Sequence, residues 1–234
     1  IFDGHSDIFS DVRYKREAGE TQVLKNHHLD RLRKGGIGGA CFVIWADTYN
    51  GHAPKDEMEA IVKGIKGEMA ETKEFVLIHN VEELKAAEAA GKFAILLGIE
   101  GLAGIGEDLS KIDELYDLGA RHAMLTWNEE NALATGVKGD PNRGVTELGK
   151  QAIKKLQEKK MILDVSHINE KSFWDVIDLA TGPILASHSN AKALASAARN
   201  LTDDQLRAIR DTNGLVGLNA FGDFISDNKA EQDV

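Results

Sequence analysis

A single cysteine, Cys41 in "ACFVIWA", serves a chain of 234 residues. No intrachain disulfide can form, and a buried, inert thiol in a reducing compartment is the expectation. Positive charge is also scarce: 28 Lys and Arg stand against 38 Asp and Glu, giving a net charge of −10 and a pI near 5.3. That balance argues against nucleic acid or an anionic membrane surface as a partner. No apolar run approaches the roughly 20 residues of a membrane span, and no signal peptide is visible, so the expected location is the cytoplasm. The sequence opens on Ile1 rather than Met, which reads as a trimmed or processed end. Long linkers, low-complexity tracts and short repeats are missing too, so the length suits one large α/β domain over residues 1–234.

What is present is an alternation of strand, loop and helix. Short apolar runs fall at 1–8, 36–46, 93–101, 122–128, 161–168, 183–190 and 214–221. They are near-continuous in Ile, Leu, Val and Ala, as strands buried on both faces are. The run "FVLIHN" at 75–80 reads as a short extended piece outside the main sheet. Helical spacing marks 55–73 (Met58, Ile61, Val62, Ile65, Met69), and also 109–118, 146–159 and 170–180. Asn80 with Glu83 and Thr202 with Gln205 have capping-box spacing, and Gly119, Gly182 and Gly214 stand where helices should stop. Strands alternating with helices imply a parallel sheet, either doubly wound or a TIM-like (β/α)8 barrel that lacks its last unit. No G-x-G-x-x-G follows the first strand. The Gly-rich "KGGIGGACF" precedes its strand and reads as close backbone approach.

The polar residues fall in a pattern. His5 and Asp7 end the first run, Glu100 ends "FAILLGIEG", His167 ends "MILDVSHI" and His188 ends "PILASHSN". Any one of them alone would be read as a satisfied structural residue. Together they place metal-capable side chains on four strand ends, where parallel α/β folds build their sites. Side chains alternate along a strand, so His5 and Asp7 share a face. The same alternation sets Ser166 and Ser187 opposite their neighbours His167 and His188, which argues against nucleophilic serine catalysis. No G-x-S-x-G elbow exists either. His27 and His28 lie in a polar connection, His52 and His79 in loops, and His122 begins a strand, at the wrong end for a site.

These strand-end motifs resemble the renal (membrane) dipeptidase family of metallopeptidases, within the wider amidohydrolase-like barrels. The match runs through "DGHSD", "GIEG", "LTWNEENALATG", "LDVSH", "ASHSN" and "ARNLTDDQL". The resemblance implies a (β/α)8 barrel with two divalent metal ions, most commonly zinc. It implies that His5 and Asp7 hold one metal, His167 and His188 the second, and Glu100, the catalytic bridge, both. It also implies that Arg199 contacts the terminal carboxylate of a dipeptide, whose peptide bond a metal-bridging hydroxide attacks. The chemistry agrees: His nitrogen and carboxylate oxygen are zinc ligands, and a carboxylate can span metals about 3.5–4 Å apart. Two zinc ions, two carboxylates and one hydroxide leave a cluster near plus one, suited to stabilising an oxyanion.

Two departures stand out. Trp127 occupies the place of a family His that binds substrate or its tetrahedral intermediate. Trp127 can neither accept a proton nor carry charge, so it reads as packing or as a pocket wall, with Asn128 as the substitute substrate donor. After "GLVGLNAF" the chain runs "GDFISDNKAEQDV", with no eighth strand and no strand-end Asp. The expectation is a chain incomplete at its C-terminus; if complete, one closed as a homodimer or inactive. The competing readings are a non-catalytic metal- or peptide-binding relative and another binuclear amide or lactone hydrolase. The latter commonly uses His-x-His and a modified Lys bridge, where this chain has His-x-Asp and Glu100.

Overall fold

Glycine sets the spacing of the first sheet. A side chain at Gly39 would meet the Ala94 carbonyl and the Phe2 ring, both at 2.9 Å, so the Gly-rich run does serve close approach. Here β1 (Phe2–Ser6) lies parallel to β2 (Gly39–Trp45), and β2 to β4 (Phe93–Glu100). The computed structural model describes residues 1–46 and 51–228. The run at 75–80, expected outside the main sheet, contributes β3 (Phe75–Leu77), which pairs with β4 at the sheet edge in the order β1-β2-β4-β3. The second sheet has the order β5 (His122–Met124), β6 (Ile162–Asp164), β7 (Ile184–Ala186) and β8 (Leu215–Val216), with β6, β7 and β8 parallel. Each of the seven apolar runs thus contains a strand, β3 brings the number among the described residues to eight, and none of them follows β8.

Contacts group into two units, Ile1–His122 and Ala123–Val234. In the first, α1 (Ile8–Glu17) and α3 (Pro54–Glu71) pack on the sheet, with α2 (Asp30–Lys34) and α4 (Val81–Ala89) between strands and α5 (Lys111–Leu118) after β4. Its core holds a chain of rings: Phe9 to Phe42 at 5.4 Å, Phe42 to Phe93 at 5.5 Å, Phe93 to Phe75 at 5.1 Å. Each such buried ring contributes about 1.5–3 kcal/mol. On α3 the predicted face is inward, with Met58, Ile61 and Ile65 buried. That helix also carries a surprise: Glu68 is fully buried, accepting from the Leu24 N–H and Thr72 hydroxyl at 2.8 Å and from Arg16 at 3.0 Å. His27 and His28 lie in a π-helical turn, Leu24–Leu29, rather than an open connection, and are bonded to Glu20 and Asp11.

In the second unit α6 (Glu147–Glu158), α7 (Glu170–Leu179) and α8 (Asp203–Asp211) each follow a side-chain cap, Thr146, Asn169 and Thr202. The Thr202–Gln205 box is complete in both directions. The Asn80 cap is half a box: Glu83 turns its carboxylate to the His79 N–H at 2.9 Å instead. Gly119, with φ of 120°, ends α5 as expected. A short α9 (Gly222–Ile225) follows β8. Among the described residues no helix is long and apolar enough to cross a membrane.

Candidate metal centre

The first cluster forms where β1 gives way to α1. Asp7 sits at the N-cap position of α1, its carbonyl accepting from the Ser10 N–H at 2.9 Å. Its side chain makes no cap bond, and its Oδ1 lies 3.6 Å from Nε2 of His5. Glu100, the last residue of β4, brings Oε2 to 3.3 Å from the same nitrogen. Glu100 is buried, His5 is half-buried and Asp7 is exposed. Burial works against charge on the His5 ring, but hydrogen bonds and the charges of Asp7 and Glu100 outweigh it and raise its pKa to about 10. Two carboxylates around one imidazole thus form a pocket for positive charge. A divalent cation would take the place of that proton, with neutral imidazole as its ligand.

The second cluster lies beyond β6 and β7. Nε2 of His167 and Nε2 of His188 are 2.7 Å apart, and both residues are buried. The far nitrogens are held: Nδ1 of His167 donates to Oδ1 of Asn128 at 2.9 Å, and Nδ1 of His188 is bonded to the Ser187 hydroxyl at 2.9 Å. An amide oxygen can only accept, so the proton of neutral His167 sits on Nδ1 and its Nε2 offers a lone pair. His167 has φ of 74°, a left-handed conformation that is costly for a residue with a Cβ and that collects at functional sites. Donor set, tautomer and burial all fit a metal ion.

A buried carboxylate that sequence reasoning missed ties the two loops together. Asp164, 1% exposed, ends β6 and accepts the Ser166 N–H at 2.7 Å and the Ser187 N–H at 3.2 Å. It therefore grips the residue before each histidine. The signal was an acidic residue inside the otherwise apolar "LDVSH". The Ser166 hydroxyl completes the clasp, accepting from the His188 N–H at 3.3 Å.

Ser187 lies where the sequence did not place it. Strand alternation was expected to keep Ser187 away from His188, yet they are hydrogen-bonded. β7 ends at Ala186, so both residues sit in a turn where alternation no longer applies. Ser166, by contrast, bonds the backbone of His188 rather than its neighbour His167.

Arg199 is buried, 7% exposed. Its Nη2 donates to the His188 carbonyl at 3.2 Å and Nη1 lies 3.5 Å from the Ser189 hydroxyl. Trp127 is half-buried, its ring 6.0 Å from the His167 ring. Asn128, expected as a substrate donor, turns its amide oxygen to His167. His52 and His79 are in exposed loops, and His122 is buried at the start of β5 as the sequence suggested.

A model of the membrane dipeptidase family (peptidase family M19) matches residues 1–233. The "uncharacterized protein in PQQ-III 3'region" of Acinetobacter calcoaceticus is 31% identical, covering 94% of this chain and 79% of that protein. An uncharacterized dipeptidase of Schizosaccharomyces pombe is 29% identical over 88% of this chain, which spans about half, 53%, of its length. Among solved structures, a metallopeptidase of Rhodobacter sphaeroides liganded with a phosphinate mimic of the dipeptide L-Ala-D-Ala superposes with a TM-score of 0.88. It is 26% identical and covers 99% of this chain and 76% of that one. The parallel α/β fold read from the alternating pattern is the fold of these metallopeptidases.

Proposed function

We propose, for a chain that belongs to the membrane dipeptidase family, that it hydrolyses dipeptides bearing a free C-terminal carboxylate with the help of two zinc ions. The observation that carries the reading is the facing pair His167 and His188, whose Nε2 atoms lie 2.7 Å apart while both Nδ1 atoms are tied back. His5 and Asp7 are assigned to one zinc and His167 and His188 to the other, with Glu100 giving a carboxylate oxygen to each. Imidazole and carboxylate together are a donor set that suits zinc. Zinc held by these residues would supply Lewis acidity toward the scissile carbonyl and would bring the ionisation of water near neutral pH.

The chain's own residues do the rest. Asn128 and Ser187 keep the imidazoles turned so that Nε2 faces the ion. Asp7 and Glu100 offset part of the metal charge. Arg199, its guanidinium held against the His188 carbonyl, fixes the substrate carboxylate. A charge-assisted pair there sets the scissile bond in place, and positioning of that kind accounts for much of a hydrolase's gain. The Trp127 indole walls the side of His167 and excludes water without taking part in proton transfer. The Asn128 amide nitrogen is the donor left for a substrate oxygen.

The test is a substrate panel on the purified protein: free dipeptides, their C-terminal amides, and a lactone. The reading expects turnover of free dipeptides, loss of at least tenfold in kcat/KM on amidation, about 1.4 kcal/mol, and no turnover after chelation. Equal turnover of acid and amide would remove the anchoring role of Arg199. Turnover of the lactone but of no dipeptide would move the chain to the competing hydrolase class.

A further inference from the structure

The loop after β5 delivers one lysine to the edge of the histidine pair. Its backbone is fixed on both sides: the Val137 N–H donates to the His167 carbonyl and the Lys138 N–H to the Asn128 carbonyl, each at 2.9 Å. Gly136 lies so close beneath that a Cβ there would come within 2.3 Å of the Trp127 carbonyl. Arg143 and Asn169 stitch the rest of the loop. Arg143 donates to the carbonyls of Asn131 and Ala134 at 2.7 and 3.0 Å, and Asn169 to those of Asp140 and Arg143 at 3.0 and 2.9 Å. The root of Lys138 is therefore preorganised.

From that root the exposed Lys138 side chain places Nζ 5.7 Å from the centre of the Trp127 indole, whose ring is 6.0 Å from His167. The acidic residues of the loop each have a partner other than Lys138. Glu130 is engaged by Arg143 at 3.4 Å and by the Asp140 N–H at 3.2 Å. Glu129 faces the Trp127 N–H at 3.4 Å, and Asp140 accepts from the Asn142 N–H at 2.8 Å. In a chain of net charge −10, this is a local positive charge held over an aromatic wall, beside the proposed catalytic metals.

We propose that Lys138, held on the face of Trp127, is a specificity residue that selects dipeptides carrying an acidic side chain. The proposal rests on the dipeptidase reading above and names its preferred substrates. An indole cannot supply charge, whereas an ammonium kept on its face by the ring's quadrupole can pair with a carboxylate while remaining hydrated.

The experiment compares isosteric substrates, Ala-Glu against Ala-Gln and Glu-Ala against Gln-Ala, and reads the ratio of kcat/KM within each pair. In the unaltered protein one ratio should favour the acid by about fivefold, the upper end for a solvent-accessible ion pair. That ratio should fall toward one in Lys138→Gln, drop below one in Lys138→Glu, and shrink with added salt, which a packing role would not produce. Ratios near one in both pairs, or ratios unchanged by either substitution, would overturn the assignment while leaving the dipeptidase reading in place. Hydrolysis of no dipeptide at all would overturn both.

Discussion

Nε2 of His167 and Nε2 of His188 face each other across 2.7 Å, while the far nitrogen of each ring is bound to a neutral oxygen. With His188 protonated on Nε2 the contact is an N–H···N hydrogen bond to the Nε2 lone pair of His167, and a cation bound there would take the place of that proton. Tetrahedral zinc, with Zn–N bonds of about 2.0–2.1 Å, spaces two ligand nitrogens about 3.3 Å apart.

The Asn128 contact should matter through the metal. Asn128→Ala removes the acceptor that fixes the His167 tautomer and should weaken zinc binding about 10–100-fold. Asn128→Asp, which keeps an acceptor in place, should restore most of it. Competition with a chromogenic chelator reads the affinity; an unchanged value in Asn128→Ala would refute the positioning role.

Asp164 should act on both histidines at once. Asp164→Ala strands the buried N–H groups of Ser166 and Ser187, at about 1–3 kcal/mol each. The melting temperature of the metal-free protein should fall and zinc affinity should fall with it. Lower stability with unchanged affinity would mean that the clasp serves the fold and not the ligands.

The sequence pattern exposed the strands, the helix faces, the caps and the His- and acid-bearing strand ends, because apolar periodicity and strand termini leave a direct trace. It hid what depends on tertiary closure. Glu68 reads as surface charge on a polar helix, yet is buried by Arg16 and by the Leu24 backbone. Ser187 reads as facing away from His188, until the turn after Ala186 brings them together. Asp164 reads as a strand interruption, because its partners are backbone N–H groups with no signature of their own. Lys138 belongs with these: only the folded loop sets it against Trp127.

Packing beneath Glu100 gives a third test. A Cβ on Gly98 would lie 2.5 Å from Nδ1 of His122 and 2.8 Å from Sγ of Cys41, and both neighbours are buried. Gly98→Ala should cost about 1–3 kcal/mol by overpacking. Cys41→Ala in the same chain should recover part of that by opening space. Denaturant unfolding measures both; a neutral Gly98→Ala would show that β4 yields more than close packing allows.

The central claim is a two-metal hydrolase, and a zinc titration of the metal-free protein tests it most directly. Dipeptide hydrolysis, absent after chelation, should return as zinc is added and level off at about two equivalents per chain. Glu100→Gln should bind less than two and stay inactive. A plateau at one equivalent that Glu100→Gln leaves unchanged, or hydrolysis that persists without metal, would contradict the account.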